Sequence, residues 1–260
     1  MRRIILCMLV HMGLLILLSC ESDSDPHVCR LTSLRVLDDS TVFEYNTANK
    51  VERIVHHILG SDHTWEDVLE YDDNGRLIHV SFFGSDPNVA FQNYELVYDS
   101  HGYPEKLHMW GADTSAPPLV TTFFHDSKGR LIKREFLNGV DVTSYIYEYD
   151  SRDNVVRFFY KYEANPEVLG HENLLFDDRQ RFFAGVSQLD VLYVYVHKFE
   201  PGKNNVTKTT FYAGGPFNVY RQPNEIVNEI SYDEQGRVEY VLNLTGSFNW
   251  VYSKIKYRCN

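Results

Sequence analysis

Tyr71-Asp72-Asp73-Asn74-Gly75-Arg76-Leu77 is a chain reversal spelled out in residues. The acid after the aromatic can accept backbone hydrogen bonds from the turn it opens. Three positions later the backbone needs a residue that tolerates positive φ, and glycine does so without steric penalty. A type I turn followed by one left-handed residue is the three-residue hairpin connection that carries a bulge. The stretch therefore predicts two antiparallel strands meeting at Asp72–Gly75.

The unit recurs. His125-Asp126-Ser127-Lys128-Gly129-Arg130-Leu131 and Tyr232-Asp233-Glu234-Gln235-Gly236-Arg237-Val238 are near copies, and Tyr98-Asp99-Ser100-His101-Gly102 keeps the first five positions. Looser copies begin at Tyr45, Tyr149, Phe176 and Phe199, which makes eight. The column for positive φ reads Asn49, Gly75, Gly102, Gly129, Asp153, Gln180, Asn204 and Gly236, with Gln180 alone out of character. On either side apolar residues alternate with polar ones, as in Tyr94, Leu96 and Tyr98 or Tyr145, Tyr147 and Tyr149, which is the period of a half-buried strand. Helical periodicity is scarce.

These units resemble the YD repeats of the Rhs and teneurin-type shells, in a shortened form found in bacterial lipoproteins of unknown function. The resemblance spans roughly residues 40–245. In the large relatives the hairpins wind into a hollow shell around another polypeptide. About sixteen strands are too few for such a chamber, so the resemblance implies the hairpin ribbon without encapsulation. The expected fold is all-β: an antiparallel meander of about eight repeated hairpins, forming a strongly curled single sheet or barrel-like ribbon, closed or nearly so. Closure removes strand edges that would otherwise invite aggregation.

The N-terminus carries a different message. Arg2 and Arg3 precede an apolar run from Ile4 to Leu18. That run is shorter than the roughly twenty residues of a membrane-spanning helix and has the layout of an export signal. It ends in Leu17-Leu18-Ser19-Cys20, which resembles the lipobox of bacterial lipoproteins. The resemblance implies cleavage before Cys20 and lipidation of its thiol. Two or three acyl chains would make anchoring effectively permanent. Glu21-Ser22-Asp23-Ser24-Asp25-Pro26 reads as a solvated tether. The expected organisation is a signal peptide over 1–19, lipidated cysteine and flexible tether leading into the first strand over 20–39, and repeat domain over 40–260.

Removing residues 1–19 takes two arginines and no acids, moving the net charge from -11 to -13. A chain this acidic is a poor partner for nucleic acid. Its 18 tyrosines and 16 phenylalanines favour strands. Beyond Cys7 and Cys20, the remaining cysteines are Cys29 and Cys259, a candidate disulfide in an exported protein.

Chemistry is harder to find. His56, His57 and His63 are close in sequence with Asp62 and Glu66 near by, but neighbouring strand residues face opposite ways, so no metal site is expected. Asp72, Asp99, Asp126, Asp150, Asp177 and Asp233 occupy the turn column and have structural work there. No nucleophile elbow, zinc-protease, P-loop or dinucleotide signature occurs, and neither catalytic residues nor cofactors are expected. Departures from the repeat are where ligands would bind. Met109–Pro118 carries Trp110, and Phe211–Arg221 carries Tyr212, Phe217, Tyr220 and Arg221. The sequence thus points to a lipid-anchored envelope protein, at the outer membrane or cell surface, that binds glycan, peptide or an envelope protein without catalysis. A structural assembly component is the alternative, and a glycan hydrolase ranks third.

Overall fold

The computed structural model describes residues 29–36, 39–58, 64–84, 86, 89–180, 191–196, 201–212, 224–243 and 250–259. The export signal, Cys20 and the acidic tether lie outside them. Sixteen strands succeed one another: β1 (Cys29–Val36), β2 (Asp39–Tyr45), β3 (Val51–His57), β4 (Thr64–Tyr71), β5 (Leu77–Phe83), β6 (Ala90–Tyr98), β7 (Pro104–Gly111), β8 (Leu119–His125), β9 (Leu131–Asn138), β10 (Asp141–Tyr149), β11 (Val155–Tyr162), β12 (Val168–Gln180), β13 (Asn204–Phe211), β14 (Asn224–Tyr232), β15 (Val238–Asn243) and β16 (Trp250–Cys259). Each strand neighbours the next in sequence and β16 lies beside β1, so the sheet closes into a barrel. The first strand, Cys29–Val36, lies within 20–39, ahead of the repeats. Contacts divide the chain into Leu31–Lys256 and a second unit of Met1–Arg30 with Tyr257–Asn260. Of the second unit only the strand ends Cys29–Arg30 and Tyr257–Cys259 are described, without the side chains of Cys29 and Cys259. The turns, the core and both rims of the barrel belong to Leu31–Lys256.

The repeat builds its turns as its chemistry requires. Asp72 Oδ1 accepts from the Arg76 amide (2.8 Å) and Oδ2 from Arg76 Nε (2.7 Å), while the Gly75 amide donates to the Asp72 carbonyl (2.8 Å). Asp126 with Arg130 and Asp233 with Arg237 repeat the pattern. The φ column is positive at Asn49, Gly75, Gly102, Gly129, Asp153 and Gly236. The Arg76 amide hydrogen bond, chiefly, holds the Asp72 carboxyl below its ordinary value, and the Tyr103 amide does the same for Asp99. In six of these hairpins the register slips by one residue just before the aromatic, as between Glu70 and Tyr71, which is the expected bulge.

Each repeat is also tied to the one before it. Tyr45, Tyr71, Tyr98 and Tyr149 donate their hydroxyls to the carbonyls of Leu31, Val51, Leu77 and Leu131, at 2.5–2.8 Å. Over these rings lie the cations of the preceding turn: Lys50 on Tyr71, Arg76 on Tyr98 and Arg130 on Tyr149, 4.6–5.2 Å from the ring centres. Where the copy carries Tyr103 in place of arginine, the next copy carries His125 in place of tyrosine. These two rings stack on each other at 5.3 Å.

Two of the eight expected copies prove to be halves of one. Gln180 and Asn204 lie in strands and pair with each other, and Phe176 pairs with Val206 as Tyr71 pairs with Leu77. Asp177 Oδ1 accepts from the Asn205 amide (3.3 Å), the role Asp72 plays toward Arg76. The copies at Phe176 and Phe199 are thus one turn opened by an insertion, and seven hairpins carry the motif. Part of that insertion, Leu192–Val196, is a single π-helical turn. Its Leu192 and Val196 are buried, its Tyr195 meets Phe123 edge-on at 4.8 Å, and the Val194 carbonyl accepts from buried Arg134. Phe123 and Arg134 pair across β8 and β9 on the face that also buries Leu107 and Leu131. Leu192–Val196 therefore packs against the concave side of the sheet.

This packing has two measurable consequences. Alanine at Gly102 meets nothing within 4 Å and adds only the penalty of positive φ, about 1–2 kcal/mol. Alanine at Gly129 must also displace the Tyr103 ring, so urea titration of the two variants should rank Gly129→Ala as the less stable. The second concerns His125, whose Nε2 lies 3.0 Å from the Tyr195 hydroxyl. Burial lowers its pKa from 6.5, so the folded protein binds this proton less readily than the unfolded chain. Stability from this group is complete above pH 6.5 and declines as pH falls toward the lowered value. Thermal melts from pH 7.5 to 5 should show a smaller decline for His125→Phe than for the parent, and parallel curves would refute the assignment.

Candidate functional site

A meander places alternate connections at opposite ends. One end carries the acid-capped turns. The other carries β1–β2, β3–β4, β5–β6, β7–β8, β9–β10, β11–β12, β13–β14 and β15–β16, whose connections share no motif. Both stretches singled out in sequence, after Trp110 and after Phe211, fall at this variable end.

The apolar surface falls there as well. Of the twelve exposed large apolar side chains among the described residues, seven lie within two residues of a strand end at the variable rim: Trp65, Val89, Phe91, Leu119, Leu137, Val140 and Tyr162. Val140, in the β9–β10 turn, is 94% exposed. At the end with the capped turns only Tyr103 is of this kind. Hairpin loops gain nothing in stability from holding such groups in water, which makes the rim a candidate binding surface.

Just inside the rim the concave face turns polar. Thr41 pairs with His56 across β2 and β3, and Thr41 Oγ1 and His56 Nδ1 are 3.1 Å apart. His56 Nε2 lies 3.1 Å from Oδ2 of Asp67, a carboxylate with no solvent exposure. Trp65 packs beside the imidazole at 5.9 Å. Tyr94, its pKa pushed up to about 12 by burial and then by the Asp67 charge, continues the group toward Gln92 and Met109, whose Nε2 and Sδ are 3.4 Å apart. In the neutral imidazole, Nε2 donates to the carboxylate and Nδ1 accepts the Thr41 hydroxyl proton. This file gives Oδ2 of the buried carboxylate a specific partner. Strand neighbours face opposite ways here as expected: His56 faces in, and His57 is exposed. The partners of His56 are eleven and fifteen residues away, across two strand pairings, so the local spacing of the three histidines gives no sign of them. His63 and Asp62 lie outside the described residues, and Glu66 pairs with Arg53 on the outer wall. Among the described residues no three His, Cys, Asp or Glu side chains converge as metal ligands would.

The expected aromatic site is not assembled. Trp110 lies on the outer face of β7, edge-on to His108 at 5.8 Å. Tyr212 comes just after β13, and its hydroxyl donates to Glu172 Oε2 at 2.6 Å. Five strands separate β7 from β13, so nothing brings the two rings together. Phe217, Tyr220 and Arg221 lie outside the described residues. The two stretches fall at the end that also carries the exposed apolar side chains, but the sequence did not single those residues out, because single exposed side chains beside loops leave no pattern.

The outer wall between the ends carries ion pairs over much of its described surface, with Val42, Leu174, Leu175 and Val227 exposed among them. Arg53 bridges Glu44 and Glu66 across β2, β3 and β4. Glu70, His79, Glu95 and His108 run across β4 to β7. Arg157 bridges Glu148 and Glu172 across β10 to β12, and Lys208 meets Glu225 between β13 and β14. Among the described residues no helix is long and apolar enough to cross a membrane. Strands that cross one present an apolar band about 25 Å tall, where an outward charge at mid-height costs roughly 2–4 kcal/mol. This wall carries ion pairs on strand residues such as Arg53, Arg157 and Lys208.

No family model matches the chain, and no curated protein matches it. Among solved structures, a porin-like protein from Bacteroides uniformis aligns over 89% of this chain and 95% of its own, at 10% identity and a TM-score of 0.52. A porin-like protein from Bacteroides vulgatus aligns over 88% and 98%, at 11% identity and a TM-score of 0.37. The TcdB2-TccC3-Cdc42 complex aligns over 85% of this chain but 14% of its own, at 11% identity and a TM-score of 0.37. The last two are too distant to carry an argument. The first is similar in fold alone: an antiparallel barrel of hairpins.

Proposed function

We propose that this protein is an exported lipoprotein whose barrel stands in water, held to the envelope through acylated Cys20, and that it binds a partner at its variable rim without catalysis. The observation that carries the reading is the surface: ion pairs along the wall, and seven of the twelve exposed large apolar side chains among the described residues gathered at one end. A porin-like relative could suggest a pore, but the charged wall is the reverse of a lipid-facing one. The anchor is then what holds the protein to the membrane. An outer-membrane or cell-surface location fits this reading, as does a disulfide between Cys29, the first residue of β1, and Cys259, the last of the neighbouring β16. Because the rim is aliphatic as well as aromatic, a peptide or envelope protein suits it better than a glycan. A structural component that grows by adding strands is less well served, since a closed sheet has no edge to offer.

The anchor and the rim are tested separately. Membranes from cells making the parent should retain the protein through an alkaline carbonate wash, with an acylated Cys20 peptide visible by mass spectrometry. A barrel inserted in the bilayer would be retained whether or not that peptide is acylated. For the rim, crosslinking in intact cells should trap a partner that is lost in Trp65→Ala/Phe91→Ala and kept in Glu95→Ala on the wall. Equal yields from both variants would remove the rim as the site.

A further inference from the structure

We propose that a groove on the outer wall, formed by β1, β2 and β16, seats the phosphate of an anionic lipid headgroup and so fixes which side of the barrel meets the membrane. The inference rests on the anchor described above and adds an orientation to it. The groove is a concavity of about 220 Å³ lined by Ser33, Leu34, Arg35, Ser40, Lys254 and Lys256. Leu34 and Ile255 are buried, so Ser33 and Arg35 on β1, and Lys254 and Lys256 on β16, project outward from alternate positions. Arg35 stands directly opposite Ser40, and Thr32 Oγ1 donates to the Lys256 carbonyl at 3.2 Å, joining the two walls of the groove. Three cations and two hydroxyls thus share one depression, with no carboxylate among the described residues of its lining.

Several other cations of the wall are paired with acids. Arg53, Lys133, Arg157 and Lys208 each lie within 4 Å of a carboxylate. Lys254 and Lys256 make no ion pair among the described residues. In a chain of net charge -11 this lining concentrates positive charge, with exposed Asp39 beside Ser40 as its nearest described acid. Screening over about 8 Å at physiological salt lets the groove act apart from the distant acids. Guanidinium, ammonium and hydroxyl groups in one depression suit a phosphate, which accepts hydrogen bonds on several oxygens.

Chain connectivity names the source of that phosphate. Ser33 is thirteen residues after Cys20, a span of at most about 45 Å when fully extended. An anchored chain holds β1 within that reach of the headgroups, at a high effective concentration. Each cation near an anionic surface contributes about fivefold to binding.

The test footprints lysines on the native, full-length protein with an amine-reactive reagent read by mass spectrometry. On vesicles containing phosphatidylglycerol, labelling of Lys254 and Lys256 should fall roughly tenfold relative to phosphatidylcholine vesicles and recover in high salt, while Lys133 and Lys208 stay unchanged. Protection by soluble glycerol phosphate, with none from anionic vesicles, would overturn the membrane as the source and make the groove a site for a soluble phosphate ester. Equal labelling in every condition would overturn the groove altogether. Acylation is read independently from the Cys20 peptide. If it is absent, vesicles added to the unanchored protein still report on the groove, so the two failures are distinguishable. In Lys254→Gln/Lys256→Gln, an unchanged melting temperature with weaker salt-sensitive vesicle contact supports the proposal, and undiminished contact contradicts it.

Discussion

The hydroxyl of one tyrosine reaching back to the carbonyl that opens the preceding outgoing strand is the contact on which this barrel depends. Tyr71 to Val51, Tyr98 to Leu77 and Tyr149 to Leu131 each join one hairpin to the one before it. At a bulge the strand ladder is locally broken, so a carbonyl there needs another donor. The tyrosine supplies it and presents its ring to the cation of the preceding turn. That cation is already held by its own aspartate where it is arginine, as in Arg76 and Asp72. One short motif thereby sets the turn, the bulge and the stacking of neighbouring repeats.

Where the motif lapses, the contact is replaced rather than lost. Asn173 Nδ2 donates to the Val155 carbonyl, and Asn228 Nδ2 to that of Val206. Tyr103 and His125 substitute an aromatic pair for the cation and tyrosine. Tyr232 turns its hydroxyl to Asp177 and Asn205 at the divided turn, with Arg179 over its ring. Repeat proteins tolerate such local exchanges because each unit answers chiefly to its neighbours.

Securing one end this way leaves the other free to vary. The capped end binds its polar groups internally and exposes little apolar surface, while the opposite rim exposes aromatic and aliphatic side chains beside loops of unrelated sequence. Between them the wall is ion-paired outside and apolar inside, with the Thr41, His56 and Asp67 file and the π-helical insertion on the concave side. A scaffold built from repeats at one end and a binding surface at the other matches a general division of labour between rigid frame and variable loop.

Strand polarity, turn type, the bulge and the positive-φ column were legible in the residues, because each is a local demand met within seven positions. The expected export signal and its cysteine rest on the same kind of local pattern. The number of hairpins was not legible, since the halves of the divided turn, Phe176–Gln180 and Phe199–Asn205, each look complete until Phe176 is seen to pair with Val206. Nor was the pairing of His56 with Asp67, the gathering of rim residues, or the meeting of Arg35 with Lys254 and Lys256. These depend on which strands become neighbours and on whether the sheet closes, and closure is decided only when the apolar faces of all sixteen strands compete to leave water together.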